Sequence, residues 1–109
     1  MTPHPETVTN RVRSVVEDLK RYAPLRIILF GSAARGDMDE YSDLDFVVIK
    51  QTDHPFLERL KEAALLVKAS GSIDILVYTP EEWQRMHEVE SPFAERVLAE
   101  GRVVYEARP

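Results

Sequence analysis

The chain has 109 residues, 44% of them hydrophobic, and sets 14 Lys and Arg against 19 Asp and Glu for a formal charge of −5. That size predicts a single small domain over 1–109, with residues 1–6 loose, and the acid excess argues against general nucleic-acid or anionic-membrane binding. No cysteine is present, which excludes disulfides, thiolate metal sites and a cysteine nucleophile. Residues 1–6 have no signal-peptide character, and no apolar stretch approaches the roughly 20 residues of a membrane span, so a cytoplasmic protein is expected.

Apolar residues at Val8, Val12, Val15, Val16, Leu19 and Ala23 have helical spacing, and Pro24 should end that helix. Arg26–Phe30 is a β-branched, apolar run that reads as a buried strand. Gly31-Ser32 punctuates it, and a polar, acidic segment over Ala33–Tyr41 leads to a second strand, Leu44–Ile49. Pro55 opens an amphipathic helix whose buried face would hold Phe56, Leu57, Leu60, Ala63, Ala64 and Val67, closed by Ser70-Gly71. Ile73–Tyr78 is a third strand. Thr79-Pro80-Glu81-Glu82 has the form of a capping box with proline in the first helical turn. Ser91-Pro92 starts a last helix, and Arg102–Glu106 reads as an edge strand. The order predicts an α/β (α+β) domain, a small mixed sheet with helices packed on it.

The acids are unevenly placed. Asp37, Asp39, Glu40, Asp43 and Asp45 fall within nine residues, with only Arg35 nearby to oppose them. Several are ordinary solvated loop acids. Asp43 and Asp45, however, bracket Leu44 at the head of an apolar strand. Side chains alternate along a strand, so both carboxylates face one way, about 6.6 Å apart along the strand axis. Like charges this close repel, and more so when partly buried. Mg²⁺ takes such oxygen ligands, usually one or two carboxylates together with substrate phosphates. Asp74 is equally out of place within Ile73-Asp74-Ile75-Leu76-Val77. If that strand lies beside the second, three carboxylates could hold two divalent ions and clamp a phosphoryl or nucleotidyl transfer. An Asp-X-Asp pair alone is more often a solvated strand entry. It gains meaning from Gly31-Ser32, a strand-to-helix junction whose backbone N–H groups and Ser32 hydroxyl suit phosphate oxygens. Arg35, one turn on, could face the same phosphates or pair with Asp39 or Asp43.

Gly31-Ser32, ten intervening residues, Asp43-Leu44-Asp45 and a later-strand Asp74 resemble the signature of the DNA polymerase β superfamily of nucleotidyltransferases. The string GSAARGDMDEYSDLDFVVI over 31–49 is most similar to the minimal nucleotidyltransferases, which are stand-alone catalytic cores often of antitoxin type. The resemblance implies a polymerase β palm-like core. It places the triphosphate at Gly31 and Ser32, with Arg35 and Ser42 nearby, and the metals at Asp43, Asp45 and Asp74. It implies two Mg²⁺ ions, ATP or another nucleoside triphosphate as donor, and transfer of NMP to an acceptor hydroxyl that Asp74 helps activate. It also implies a helical partner of the HEPN type, itself sometimes the adenylylated substrate of a toxin–antitoxin pair. Ala33 departs from the pattern, since many relatives carry a basic residue there. A non-catalytic subunit that neutralises a helical partner by contact is the alternative; transfer to a small molecule is disfavoured because the chain holds no acceptor domain. His4, His54 and His87 read as surface or capping residues, Trp83 and Met86 as a cover for the sheet or a partner surface, and Tyr41 as a locally packed loop residue.

Overall fold

The computed structural model describes residues 5–36, 43–69 and 71–108. The elements run α1 (Pro5–Lys20), β1 (Arg26–Phe30), α2 (Ser32–Arg35), β2 (Leu44–Ile49), α3 (Phe56–Leu66), β3 (Ile73–Tyr78), α4 (Pro80–Glu88), α5 (Pro92–Glu100) and β4 (Arg102–Glu106). The four strands lie in the order β3-β2-β1-β4. β1 runs antiparallel to β2 and β4, and β2 runs parallel to β3 through α3, so the sheet is mixed as expected.

Alternation along the strands sends side chains to two cores. On one face Ile27, Leu29, Leu44, Phe46, Val48 and Val77 pack with Val15, Val16 and Leu19 of α1 and Ala63 of α3. On the other, Ile28, Val47 and Ile49 pack with Trp83 of α4 and with Ala94 and Val97 of α5. β2 is therefore covered on both faces, which is why it reads as a continuous apolar run. Its only residue that is not buried is Asp45. Helices α4 and α5 cover the second face over Ile49 and Val47 and leave the start of β2 open.

Several details differ from expectation. α1 begins at Pro5, so residues 5 and 6 belong to the helix. It ends at Lys20, and Ala23 lies beyond it with φ 58°, turning the chain into Pro24. α3 ends at Leu66 with Val67 extended, so Gly71 (φ 96°) is not its cap but a turn before β3. On α3, Leu57 is 70% exposed and Ala64 also faces outward, whereas Arg59 is buried. The hydrophobic pattern places Leu57 inside because it lies near the helix start, where Phe56 already fills the position against Tyr78. Thr79 and Glu82 form the expected capping box of α4, and Ser91 caps α5.

Arg59 joins three elements. Its Nε donates to the His54 carbonyl at 2.7 Å, and Nη1 donates to the Val77 carbonyl at 3.3 Å and to Glu82 Oε1 at 2.7 Å. Glu82 meanwhile accepts from the Thr79 N–H at 2.8 Å, so one carboxylate serves the helix cap and the guanidinium together. Arg59→Leu removes a charged donor from two carbonyls and should cost about 2–3 kcal/mol in urea unfolding. Glu58→Ala, on the exposed face one residue away, should change stability by less than about 0.5 kcal/mol.

Candidate active site

The parallel register pairs Asp45 of β2 directly with Asp74 of β3, and the antiparallel register pairs Asp45 with Phe30, the last residue of β1. Asp43, just before β2, is exposed and continues the alternation onto the same side. The site thus sits where β1 ends and β2 and β3 begin, on the part of the sheet that α4 and α5 leave uncovered. Phe30 stacks edge-to-face on Phe93 of α5 with ring centroids 5.5 Å apart, and Tyr78 lies 6.4 Å from Phe93, giving the acidic corner an aromatic wall.

Gly31 forms the other wall. It has φ 77°, and a Cβ there would fall 2.6 Å from Oδ2 of Asp45. Both its conformation and its contact therefore require glycine. It caps α2 without a side-chain hydrogen bond, so the N–H groups of Ser32, Ala33 and Ala34 stand at an open helix start; the first N–H bonded within the turn is that of Arg35, to the Gly31 carbonyl at 3.3 Å. Gly36, left-handed at φ 80°, ends the turn.

Asp45 carries the electrostatic strain of the corner. Its carboxyl titrates above the ordinary aspartate value, first because it is desolvated, then because the charges of Asp74 and Asp43 oppose its ionisation and Asp74 hydrogen-bonds to it. The three acids do not collapse into one tight cage. The group whose ligand atoms all lie within 4.8 Å of one another, among the described residues, is His54, Glu58 and Glu62 on the far side of α3.

Of the residues singled out from sequence, Gly31, Ser32, Asp43, Asp45 and Asp74 lie at this corner. Arg35 pairs with Glu100 of α5 at 3.3 Å and ties α2 to the helical layer; the sequence pairings with Asp39 or Asp43 did not include it. Ser42, Asp37, Asp39, Glu40, Tyr41 and His4 lie outside the described residues. Trp83 and Met86 cover the sheet, with His87 edge-on to Trp83 at 4.7 Å. Sequence reasoning missed Phe30, which the β1–β2 register sets opposite Asp45, with Phe93 of α5 against its ring.

A small mixed sheet of this order with helices on both faces is a nucleotidyltransferase fold. The nucleotidyltransferase domain family matches residues 10–105, and the chain belongs to that family. Two Methanocaldococcus jannaschii proteins, provisionally named protein adenylyltransferases, are similar in sequence. MJ0604 is 38% identical over 80 residues, covering 73% of this chain and 77% of the relative. MJ0141 is 40% identical over 52 residues, covering 48% of this chain and 52% of the relative. Among solved structures, a provisionally named nucleotidyltransferase from Sulfolobus solfataricus superposes with TM-score 0.62 at 17% identity, covering 97% of this chain and 92% of the other. A toxin–antitoxin structure with AMP-PNP superposes with TM-score 0.58 at 17% identity, over 88% of this chain and 73% of the other, and so shares the fold.

Two outcomes follow from the corner's geometry. Gly31→Ala should lose at least about 1 kcal/mol from the left-handed backbone alone and should push Asp45 out of place. Asp45 has a raised carboxyl value, so its ionisation opposes folding: the penalty is absent at low pH, where the carboxyl is protonated in both states, grows as pH rises past the ordinary unfolded-state value, and is complete above the folded-state value. Asp45→Asn should therefore raise the melting temperature of the metal-free protein at pH 7. Circular dichroism melts in chelator should see that gain vanish near pH 3.

Proposed function

We propose that the chain is a Mg²⁺-dependent adenylyltransferase that moves AMP from ATP to a hydroxyl on a protein. One observation carries this reading: Asp45 and Asp74 are register partners, with Asp43 beside them, against a glycine turn that leaves three N–H groups unbonded. The family match supports the reaction class, and the names of the Methanocaldococcus relatives support adenylyl transfer to protein.

The donor set fits magnesium. Three carboxylates supply hard oxygen ligands, and Asp45 is held in a field of like charge that a cation would relieve. Asp43 and Asp45 would hold the ions with the triphosphate, and Asp74 would complete the set on the acceptor side. Bound there, divalent ions neutralise the charge that grows on the phosphates. The chain's own groups do the rest. The Ser32 hydroxyl and the N–H groups of Ser32, Ala33 and Ala34 bind phosphate oxygens at the start of α2, and Gly31 allows that turn to approach Asp45. Asp74 takes the acceptor proton as the acceptor oxygen bonds to the α-phosphorus; the bond from that phosphorus to the bridging oxygen breaks, and pyrophosphate leaves. The phenyl rings of Phe30 and Phe93 exclude water from one side of the corner.

The partner reading follows the fold neighbours. Two toxin–antitoxin structures superpose on this chain, the second with TM-score 0.55 at 17% identity over 89% of this chain and 73% of the other. A helical toxin of the HEPN type is the acceptor we assign, and the cytoplasm is the compartment. No helix among the described residues is long and apolar enough to cross a membrane.

ATP labelled at the α-phosphate, incubated with Mg²⁺, the chain and the product of the neighbouring gene, should transfer label to that product. Asp43→Asn, Asp45→Asn and Asp74→Asn should each lower the rate by more than about a hundredfold, beyond the loss typical of outer-shell partners. Transfer by Asp45→Asn at the wild-type rate would overturn the mechanism.

A further inference from the structure

We infer that the acceptor reaches the site as an extended polypeptide strand, added antiparallel to the open edge of β3, with its hydroxyl residue directly opposite Asp74. The inference rests on the proposed transfer reaction and adds how the acceptor is held.

Among the described residues β3 is an edge strand, paired only with β2. The parity of its backbone is fixed at both ends. The Ser72 carbonyl accepts from the Leu44 N–H at 3.0 Å, and the Tyr78 carbonyl accepts from the Lys50 N–H at 2.9 Å. Residues 72, 74, 76 and 78 therefore turn their N–H and C=O groups toward β2, and 73, 75 and 77 turn theirs outward. The outward carbonyl of Val77 is already taken by Arg59. That leaves the outward groups of Ile73 and Ile75, on either side of Asp74, as the open part of the edge. Such an edge is a template for a further strand.

A groove of about 370 Å³ runs beside this segment, floored by Ile73–Ile75 and walled by Leu60, Ala64 and Val67 of α3. It lies on the face opposite the aspartates, because Ile73 and Ile75 pack with the α1–α3 core. An added strand would bond its alternate residues to Ile73 and Ile75. The residue between them would stand opposite Asp74 in a non-hydrogen-bonded pair, with Cα atoms about 4.5 Å apart and side chains on the same face. Its hydroxyl would meet the Asp74 carboxylate, while both neighbours would point toward the groove beside α3. The acceptor class is thus an extended polypeptide segment with Ser, Thr or Tyr at the residue opposite Asp74. Charge favours a polypeptide over a polynucleotide, since the chain carries −5 overall and three carboxylates at the corner.

The test uses the full chain with α-labelled ATP and Mg²⁺, and 11-residue peptides with a central Val-Xaa-Val, where Xaa is Ser, Thr or Tyr. N-methylation of the amide of either valine should lower labelling about tenfold, the worth of one backbone hydrogen bond at the upper end of its range. N-methylation of the Xaa amide, which points away from β3, should lower it less than about twofold. Equal sensitivity at all three amides would overturn the inference. So would labelling of tyrosinamide or an oligonucleotide in preference to every peptide, or ATP–Mg²⁺ binding with no peptide labelled. Binding of ATP–Mg²⁺ is measured separately by titration calorimetry. Its absence would remove the transferase reading itself, whereas its presence with insensitive peptides removes only the strand.

Discussion

Asp45 is the one residue of the central strand that is not buried, and the organisation of the site turns on that exception. A strand buried on both faces has no place for a charge, because an ionised carboxylate taken from water costs several kcal/mol unless paired. Here α4 and α5 stop short. They cover Ile28, Val47 and Ile49 and leave the start of β2 open, so Asp45 keeps part of its hydration while Phe30 and Gly31 press on it. Partial burial raises its carboxyl value, and Asp74 and Asp43 raise it further. A corner that holds anions together against their repulsion is stabilised by whatever brings positive charge, and that bias toward a cation is set by the packing of the helices rather than by the aspartates alone.

The two sheet edges are finished differently, and the difference has a functional direction. β4 is bulged opposite Ile27 and Ile28 and ends in exposed Arg102 and Glu106, with Glu106 paired to Arg26 at 2.8 Å. Bulges and charges discourage a further strand. On β3, Arg59 occupies the outward carbonyl of Val77, so the half of the edge remote from the aspartates is closed from within by α3. The remaining half flanks Asp74. A single buried arginine thus fastens α3 to the cap of α4 and also limits where the edge can be used.

Most of the architecture was legible because the strands are short apolar runs bounded by Gly, Pro and capping residues. The adjacency of β2 and β3, on which Asp74 depends, was a condition the sequence left open, and the parallel register meets it. What was not legible has a tertiary origin. Arg59 sits at a helical position that periodicity assigns to neither core nor solvent, and its burial depends on carbonyls supplied by His54 and Val77. Leu57 satisfies the apolar pattern yet faces solvent. Arg35 has the spacing of a phosphate ligand, and one of its contacts, with Glu100, comes from a helix 65 residues away in sequence, which no local window includes. Phe30 reads as the last residue of a buried strand, and only the β1–β2 register puts it against Asp45.

The chain holds two groups of potential metal ligands, and their electrostatics separate them. In the cluster on α3, Glu62 accepts from the Tyr22 hydroxyl at 2.6 Å and pairs with His54 Nδ1 at 2.7 Å. Both contacts favour its ionised form and hold its carboxyl below the ordinary glutamate value, with the Tyr22 hydrogen bond the larger cause. His54 moves the opposite way: its hydrogen bond to Glu62 raises its value, which favours the imidazolium beside that carboxylate. An incoming cation would have to displace a proton and two hydrogen bonds. At the sheet corner the direction is reversed. Among the described residues the charged neighbours that act on Asp45 are carboxylates, and its titration is pushed upward, first by desolvation. A group that is neutralised internally has little to gain from a metal, while a group whose charge is opposed by its surroundings gains most. The aspartate corner, the less compact of the two, is the one whose ionisation its neighbours oppose.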